Sequence, residues 1–277
     1  MPPKITILVE NCAGQATSLL GEHGFAALVE ADGYRLLFDT GLGNAIRHNV
    51  EALEMNLSGI NAIALSHGHY DHTGGLPKVL PQTGRVPVYL GTGAFAPKYA
   101  LVPGGGERWI GMPGLQTGLE KKGADFRIVD KPLELHPEII LTGPIPRVTD
   151  FESVEPMLLT EKDGERVADS VPEDQAVILK GEKGITVLTG CAHAGMINTL
   201  KYAQKITGAD KIHSLIGGTH LLFAFEERME KTVAALRELG VEVLAPSHCT
   251  GFRAMAELNR RVGDLMMPGN TGTVFQL

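Results

Sequence analysis

Three histidines and an aspartate occupy six consecutive positions, His67 to His72, in "AIALSHGHYDHTGGL". The run "AIALS" reads as a buried strand, so the cluster falls just past a strand's carboxyl end. Read as metal chemistry, His67 and His69 offer two imidazoles at i and i+2, and Asp71 with His72 offers a carboxylate and a third imidazole. Borderline cations such as zinc accept that donor set, and six residues of loop can serve two adjacent ions. Gly74 and Gly75 permit the tight turn that follows. The alternative is a histidine-rich surface loop, or histidines satisfied by backbone hydrogen bonds. The order H-x-H-x-D-H directly after an apolar strand favours the metal.

The flanking sequence supplies strands and helices in two similar sets. "ITILV" (5–9), "AALVE" (26–30) and "YRLLFDTG" (34–41) read as strands, the last two joined across the hairpin signal Asp32-Gly33. A helix is expected from about 44 to 55, with Ile46, Val50, Leu53 and Leu57 on one face, before the strand that delivers the cluster. A second hairpin, 175–190, runs into "CAHAG". It is followed by helices near 196–206, 226–239 and 253–262, alternating with the strands "HSLIGG" and "VEVLAPS". Each set combines a hairpin with strand–helix units, which predicts an α/β (α+β) chain built as an αββα four-layer sandwich. Residues 91–156, rich in Gly and Pro, are expected to form an inserted loop or cap within a single domain spanning 1–277.

Composition narrows the function. The chain has 277 residues, 43% apolar and 21% charged, and no apolar run near the roughly 20 residues of a membrane span. A net charge of −7 without a basic cluster argues against nucleic acid or anionic lipid as partner and for a small-molecule substrate. Three cysteines without Cys-x-x-Cys spacing, behind an amino terminus with no export signal, imply a cytoplasmic protein. Nothing in the sequence fixes an oligomeric state.

Three further histidines follow apolar runs and small-residue turns: His193 in "TGCAHAG", His220 in "GGTHL" and His248 in "APSHCTG". All can gather at one rim of the sandwich. His23, His48, His136 and His213 lie in polar or helical contexts and are set aside as solvated or core residues. Asp39, at the end of a strand, could be a plain turn residue. It could also hydrogen-bond the second ring nitrogen of a ligating histidine and fix its tautomer.

On "FDTG", "HGHYDHTGG" and "SHCTG" the chain resembles the metallo-β-lactamase superfamily over nearly its whole length. "ILVEN", "TGCAHAGMINT" and "GGTHL" bring it near the dihydropteroate-synthase-like branch. That branch includes a methanopterin-pathway enzyme joining a dihydropterin diphosphate to a ribosylaminobenzene phosphate, beside many metal-dependent hydrolases. The resemblance implies the metallo-β-lactamase fold. It puts His67, His69 and a third histidine, His193, on one ion, and Asp71, His72 and His248 on the other. It supports Asp39 as a support for those ligands. The superfamily's bridging aspartate has no counterpart between Leu188 and His248, so His220, or else Cys191, would take its place. Two registers follow: His193 as third motif with His220 in the aspartate's place, which is preferred, or Cys191 and His193 as fourth motif with the third histidine lost.

The expected cofactor is zinc, one or two ions, with iron or manganese as alternatives. The expected reaction is hydrolysis of a small ester or phosphoester by metal-activated water, with Asp71 and His220 as the catalytic side chains. The alternatives are a pterin-type transferase and a non-catalytic sensor. Lys98, Arg108 and Arg147 are candidates for holding a phosphorylated or pterin-like substrate, and Trp109 and Tyr99 for stacking on it. Cys191 and Cys249 read as small packing residues.

Overall fold

The computed structural model describes residues 2–277. Its strands are β1 (Lys4–Val9), β2 (Ala26–Ala31), β3 (Tyr34–Phe38), β4 (Ala62–Ala64), β5 (Val86–Leu90), β6 (Lys98–Leu101), β7 (Glu107–Trp109), β8 (Ala124–Ile128) and β9 (Leu133–His136). They continue with β10 (Ile139–Leu141), β11 (Leu158–Lys162), β12 (Glu165–Ala168), β13 (Ala176–Gly181), β14 (Gly184–Thr189), β15 (Ile212–Gly218), β16 (Val243–Ser247) and β17 (Val274–Gln276). The helices are α1 (Ile46–Ala52), α2 (Tyr70–Thr73), α3 (Leu76–Thr83), α4 (Gln116–Glu120), α5 (Met196–Thr207), α6 (Glu226–Glu238) and α7 (Phe252–Val262). No helix among the described residues is long and apolar enough to cross a membrane.

Two sheets stack face to face. The first runs β17-β1-β2-β3-β4-β5-β8 and the second β16-β15-β14-β13-β10-β9. Side chains alternate along each strand, and here both faces are buried, which is why these strands read as continuous apolar runs. Leu36 and Phe38 point into the layer between the sheets, whereas Leu37 packs under α1 and α3 with Ile46, Val50 and Val79. In the second sheet Val177 and Leu179 face inward, and Ile178 packs against the α5–α7 side with Met196, Leu200 and Leu258. The result is the αββα sandwich.

The stretch 91–156 is not one inserted lobe. β8 extends the first sheet beside β5, and β9 and β10 extend the second beside β13. Only β6 and β7 leave the sandwich, joining β11 and β12, which lie beyond residue 156, in a separate four-stranded sheet. These strands are three to five residues long and mostly exposed, so they carry no period that sequence reasoning detects. Helix α1 is also shorter than the 44–55 expected. It stops at Ala52, two residues before Glu54 takes a positive φ of 55°.

In each sheet the strands that carry functional side chains are parallel: β3 with β4, and β14 with β15 and β16. Parallel pairing puts their carboxyl ends on one side, so Asp39, His67, His193, His220 and His248 all leave the sandwich at the same rim.

Candidate metal centre

The rim is built from residues that follow strands in strained backbone. Asp39, Ala192, His220 and His248 have φ between 48° and 58°, a region costly for residues with a Cβ. The histidine cluster is tighter than a loop, because Tyr70–Thr73 forms the one-turn helix α2 carrying Asp71 and His72. Room at the rim comes from missing side chains. A Cβ on Gly190 would lie 2.1 Å from Ser66 Oγ and 2.7 Å from Asp39 Oδ2.

Asp39 is fully buried and organises the first half of the site. Its Oδ1 accepts the Ser66 N–H at 2.7 Å, and its Oδ2 accepts the Ser66 hydroxyl at 2.7 Å and His72 Nδ1 at 2.8 Å. The bond to Nδ1 leaves the lone pair of His72 on Nε2, facing the rim. Ser66 has one hydroxyl proton and gives it to Asp39, so it accepts from His67 Nδ1 at 2.8 Å. His67 therefore also turns a lone pair outward on Nε2. His248 is set in the same way by a residue near the amino terminus: its Nδ1 lies 2.9 Å from Asn11 Oδ1, and its backbone N–H donates to Glu10 Oε1 at 2.6 Å.

Two donor groups result. The ligating atoms of His67, His69 and His193 lie within 4.8 Å of one another. Beside them, His72 Nε2 is 3.2 Å from His248 Nε2, and Asp71 Oδ2 is 3.3 Å from His248 Nε2 and 3.8 Å from His72 Nε2. Metal–ligand bonds of about 2.0 Å in a tetrahedron put donor atoms about 3.3 Å apart, which these separations match. His193 Nε2 and His69 Nε2 are buried with no hydrogen-bond partner.

The charge states agree. Burial, reinforced by neighbouring rings, pushes His67 and His193 well below the usual histidine range, and burial takes His69 down to about 3. All three are neutral, lone-pair imidazoles. Burial opposes ionisation of Asp71, but His72, His23 and His248 outweigh it and hold the carboxyl well below its usual range. Burial likewise lowers His72, and the carboxylates of Asp39 and Asp71 reverse this and lift it to about 9. A divalent cation satisfies the same electrostatic demand, so the residues present fit one.

The bridging position departs from the preferred register. Cys191 Sγ lies 3.2 Å from His72 Nε2 and groups with His67 and His72, with His193 and His220, and with His248 and Cys249. It sits between the two donor groups. His220 lies to one side against His193, ring centroids 4.3 Å apart, and its Nδ1 pairs with Glu155. His193 groups with His67 and His69, and Cys191 rather than His220 lies between the two donor groups.

A cavity of about 410 Å³ opens onto these rings. His23, set aside on sequence, lines it and lies 3.1 Å from Asp71 Oδ2. Its polar context hid it, because the fold alone brings residue 23 beside residue 71. His48, His136 and His213 stay away from the rim, with Ser18, Glu138 and Glu242 respectively beside them. Of the three candidate cations only Arg108 lines the cavity, stacked over Tyr70. Lys98 is buried between Asp169 and Glu173, 2.8 Å from each, and Arg147 donates to four backbone carbonyls. Neither Trp109 nor Tyr99 lines the cavity; Tyr99 stacks under Arg166. Glu10 and Asn11, missed as site residues, lie in the "ILVEN" motif noted above and directly follow the last residues of β1.

Comparison with known proteins accords with this geometry. The sequence profile of the metallo-beta-lactamase superfamily matches residues 20–248. The chain is 32% identical over 260 residues to 7,8-dihydropterin-6-methyl-4-(beta-D-ribofuranosyl)-aminobenzene-5'-phosphate synthase of Methanocaldococcus jannaschii, covering 91% of this chain and 88% of that protein. An uncharacterized protein of the same organism is 34% identical over 260 residues, covering 92% and 94%. Among solved structures, Tm1679, described as a metal-dependent hydrolase of the beta-lactamase superfamily, superposes with a TM-score of 0.84 at 29% identity, covering 99% of each chain. With profile, relatives and fold in agreement, the chain belongs to the metallo-beta-lactamase superfamily.

Proposed function

We propose that this chain is a metal-dependent hydrolase of a small ester or phosphoester, acting at the rim where His67, His69 and His193 lie beside Asp71, His72 and His248. The observation that carries the reading is the fit of the donor separations to metal coordination at the floor of a cavity large enough for a small substrate. Zinc suits the histidine-rich set, and iron and manganese accept the same donors. When bound, such ions supply Lewis acidity and a nucleophile near neutral pH.

The protein's own groups do the rest. Asp71 is ionised and orients the attacking water, with His23 beside it as a route for the proton to leave. His220, held by Glu155, offers its other ring nitrogen to the developing oxyanion. Arg108 is the one guanidinium at the cavity and holds a single anionic group of the substrate. Asp39 positions the ligands from behind without touching substrate, and Cys191 lies between the two donor groups.

A second reading, a synthase joining a pterin portion to an aminobenzene ribose phosphate, is favoured by the 32% identity to the archaeal enzyme. The deciding experiment gives the purified, zinc-loaded protein a chromogenic phosphodiester and ester, and separately a pterin donor with an aminobenzene acceptor. Hydrolysis by the parent, absent in His67→Ala and not restored by added metal, supports the first reading. No hydrolysis, with turnover only when both donor and acceptor are present, replaces it with the second.

A further inference from the structure

Two free thiols meet at the rim. Cys191 follows β14 and Cys249 follows β16, and β15 lies between those strands, so the pair closes over the end of β15. Gly218, the last residue of β15, makes the room: a Cβ there would lie 2.7 Å from Cys249 Sγ and 3.1 Å from Cys191 Cα. The two sulfurs and a ring nitrogen of His248 lie within 4.8 Å of one another. The cysteines are 58 positions apart in the chain, so the fold alone brings them together. Cys249 Sγ accepts the His220 backbone N–H at 3.3 Å, and its own S–H donates to the Cys191 carbonyl at 3.6 Å. Both cysteines line the cavity of about 410 Å³, Cys191 buried and Cys249 partly exposed, whereas the exposed Cys12 does not line it. On its other side Cys191 Sγ lies 3.2 Å from His72 Nε2. One sulfur thus stands between an ion's donor groups and a second thiol, and turning to one takes it from the other.

We propose that Cys191 and Cys249 are a modification site: a hydroperoxide oxidises them to a disulfide, a dithiol reverses this, and the disulfide lowers the affinity of the rim for its ion. Cys249 Sγ, the more accessible sulfur, attacks the peroxide O–O bond and gives a sulfenic acid and water. Cys191 Sγ then attacks that sulfur, and its thiol proton leaves with the sulfenic hydroxyl as a second water. The two sulfurs together give up two electrons, which the peroxide oxygens take, and an external dithiol restores both thiols by exchange. Sulfurs in a disulfide lie about 2.05 Å apart, so forming the bond turns Cys191 away from His72 Nε2 and over Gly218. A disulfide sulfur carries no thiolate charge, and an ion between the donor groups loses an anionic neighbour. The effect on metal affinity rests on the reading that the rim holds an ion; formation of the disulfide does not.

The test treats the full chain, stripped of metal by a chelator, with hydrogen peroxide. Free thiols are then blocked, cross-linked peptides are identified by mass, and zinc affinity is measured by chelator competition. A Cys191–Cys249 cross-link is expected, with Cys12 left free, and it is absent in Cys249→Ser. Cys12→Ser, at an exposed position, keeps the cross-link and keeps the test open if Cys249→Ser fails to fold. The cross-linked protein should bind zinc at least about tenfold more weakly than the reduced protein, dithiothreitol should restore the affinity, and zinc added before peroxide should slow cross-linking. No cross-link in the folded protein, a cross-link through Cys12 instead, or full zinc affinity in the cross-linked form overturns the proposal. A reduced parent that binds no zinc refutes the metal reading and the coupling with it, while the peptide masses by themselves show whether the disulfide forms.

Discussion

At the scale of single residues, side chains set back from the cavity tune the ones that face it. Asp39 holds Ser66 and His72 through three hydrogen bonds. In Asp39→Asn the amide cannot accept all three, so zinc affinity should fall about 10- to 100-fold while the fold survives, as read by chelator competition and circular dichroism. Asp174 gives a pH signature. It is buried, accepts the Ala194 N–H at 2.8 Å, and burial lifts its carboxyl from 3.8 to about 7. The folded chain keeps this proton after the unfolded chain has lost it. Its contribution is therefore complete below about pH 4 and is lost as pH rises through about 7. Thermal unfolding of the chelated protein should show that decline in the parent and a flatter profile in Asp174→Asn. At this scale the His67–His72 cluster and Asp39 were legible, because their residue types and strand-end placement carry the chemistry. His23, Glu155 and Asn11 were not, because ordinary polar residues gain a role only from what the fold sets beside them.

Among the elements, α5 shows how a helix start positions a ligand. Its first N–H groups, on Ile197 and Asn198, donate to the carboxylate of Glu152 at 2.8 Å each, and Thr149 Oγ1 adds a third bond at 3.1 Å. Gly195 lets the chain approach that carboxylate: it has φ 103°, and an added Cβ would lie 2.4 Å from Glu152 Oε2. His193 precedes this turn by two residues. Glu152→Ala should cost about 1–3 kcal/mol in urea unfolding and weaken zinc binding with it. A drop in stability with unchanged metal affinity would show that the cap does not steer His193. The helices α5, α6 and α7 were readable from apolar spacing, since each buries one face on the second sheet. The four-stranded side sheet was not, since its strands are short and mostly exposed and its two hairpins join, through β6 and β11, across more than fifty residues of sequence.

Across the whole molecule, the donors come from both halves of the sandwich. His67, His69, Asp71 and His72 follow a strand of the first sheet, whereas His193 and His248 follow strands of the second. An ion held by both groups links the sheets and binds only the folded chain. At a thousandfold excess over its dissociation constant it stabilises by about 4 kcal/mol. Melting temperature should therefore fall on chelation and recover with zinc, and His248→Ala should blunt the response. A melting temperature indifferent to zinc would mean that the rim holds no ion tightly. The two-layer architecture was visible in the repeated hairpin and strand–helix sets. The meeting of the two halves was not, because it depends on which strands pair in parallel.

The brace at Lys98 bears on how molecules reach the rim. Its ammonium lies between Asp169 and Glu173, and Glu173 also accepts the Gly68 N–H at 3.2 Å. Removing a partner from such a buried cluster costs about 3–5 kcal/mol, so the side sheet and the histidine turn move as one body. The opposite bank, Leu222 to Phe225, carries mostly exposed side chains, with no salt bridge to it among the described residues. Under the proposed hydrolase reading, substitutions along that bank should alter how molecules reach the cavity while leaving the Lys98 brace intact.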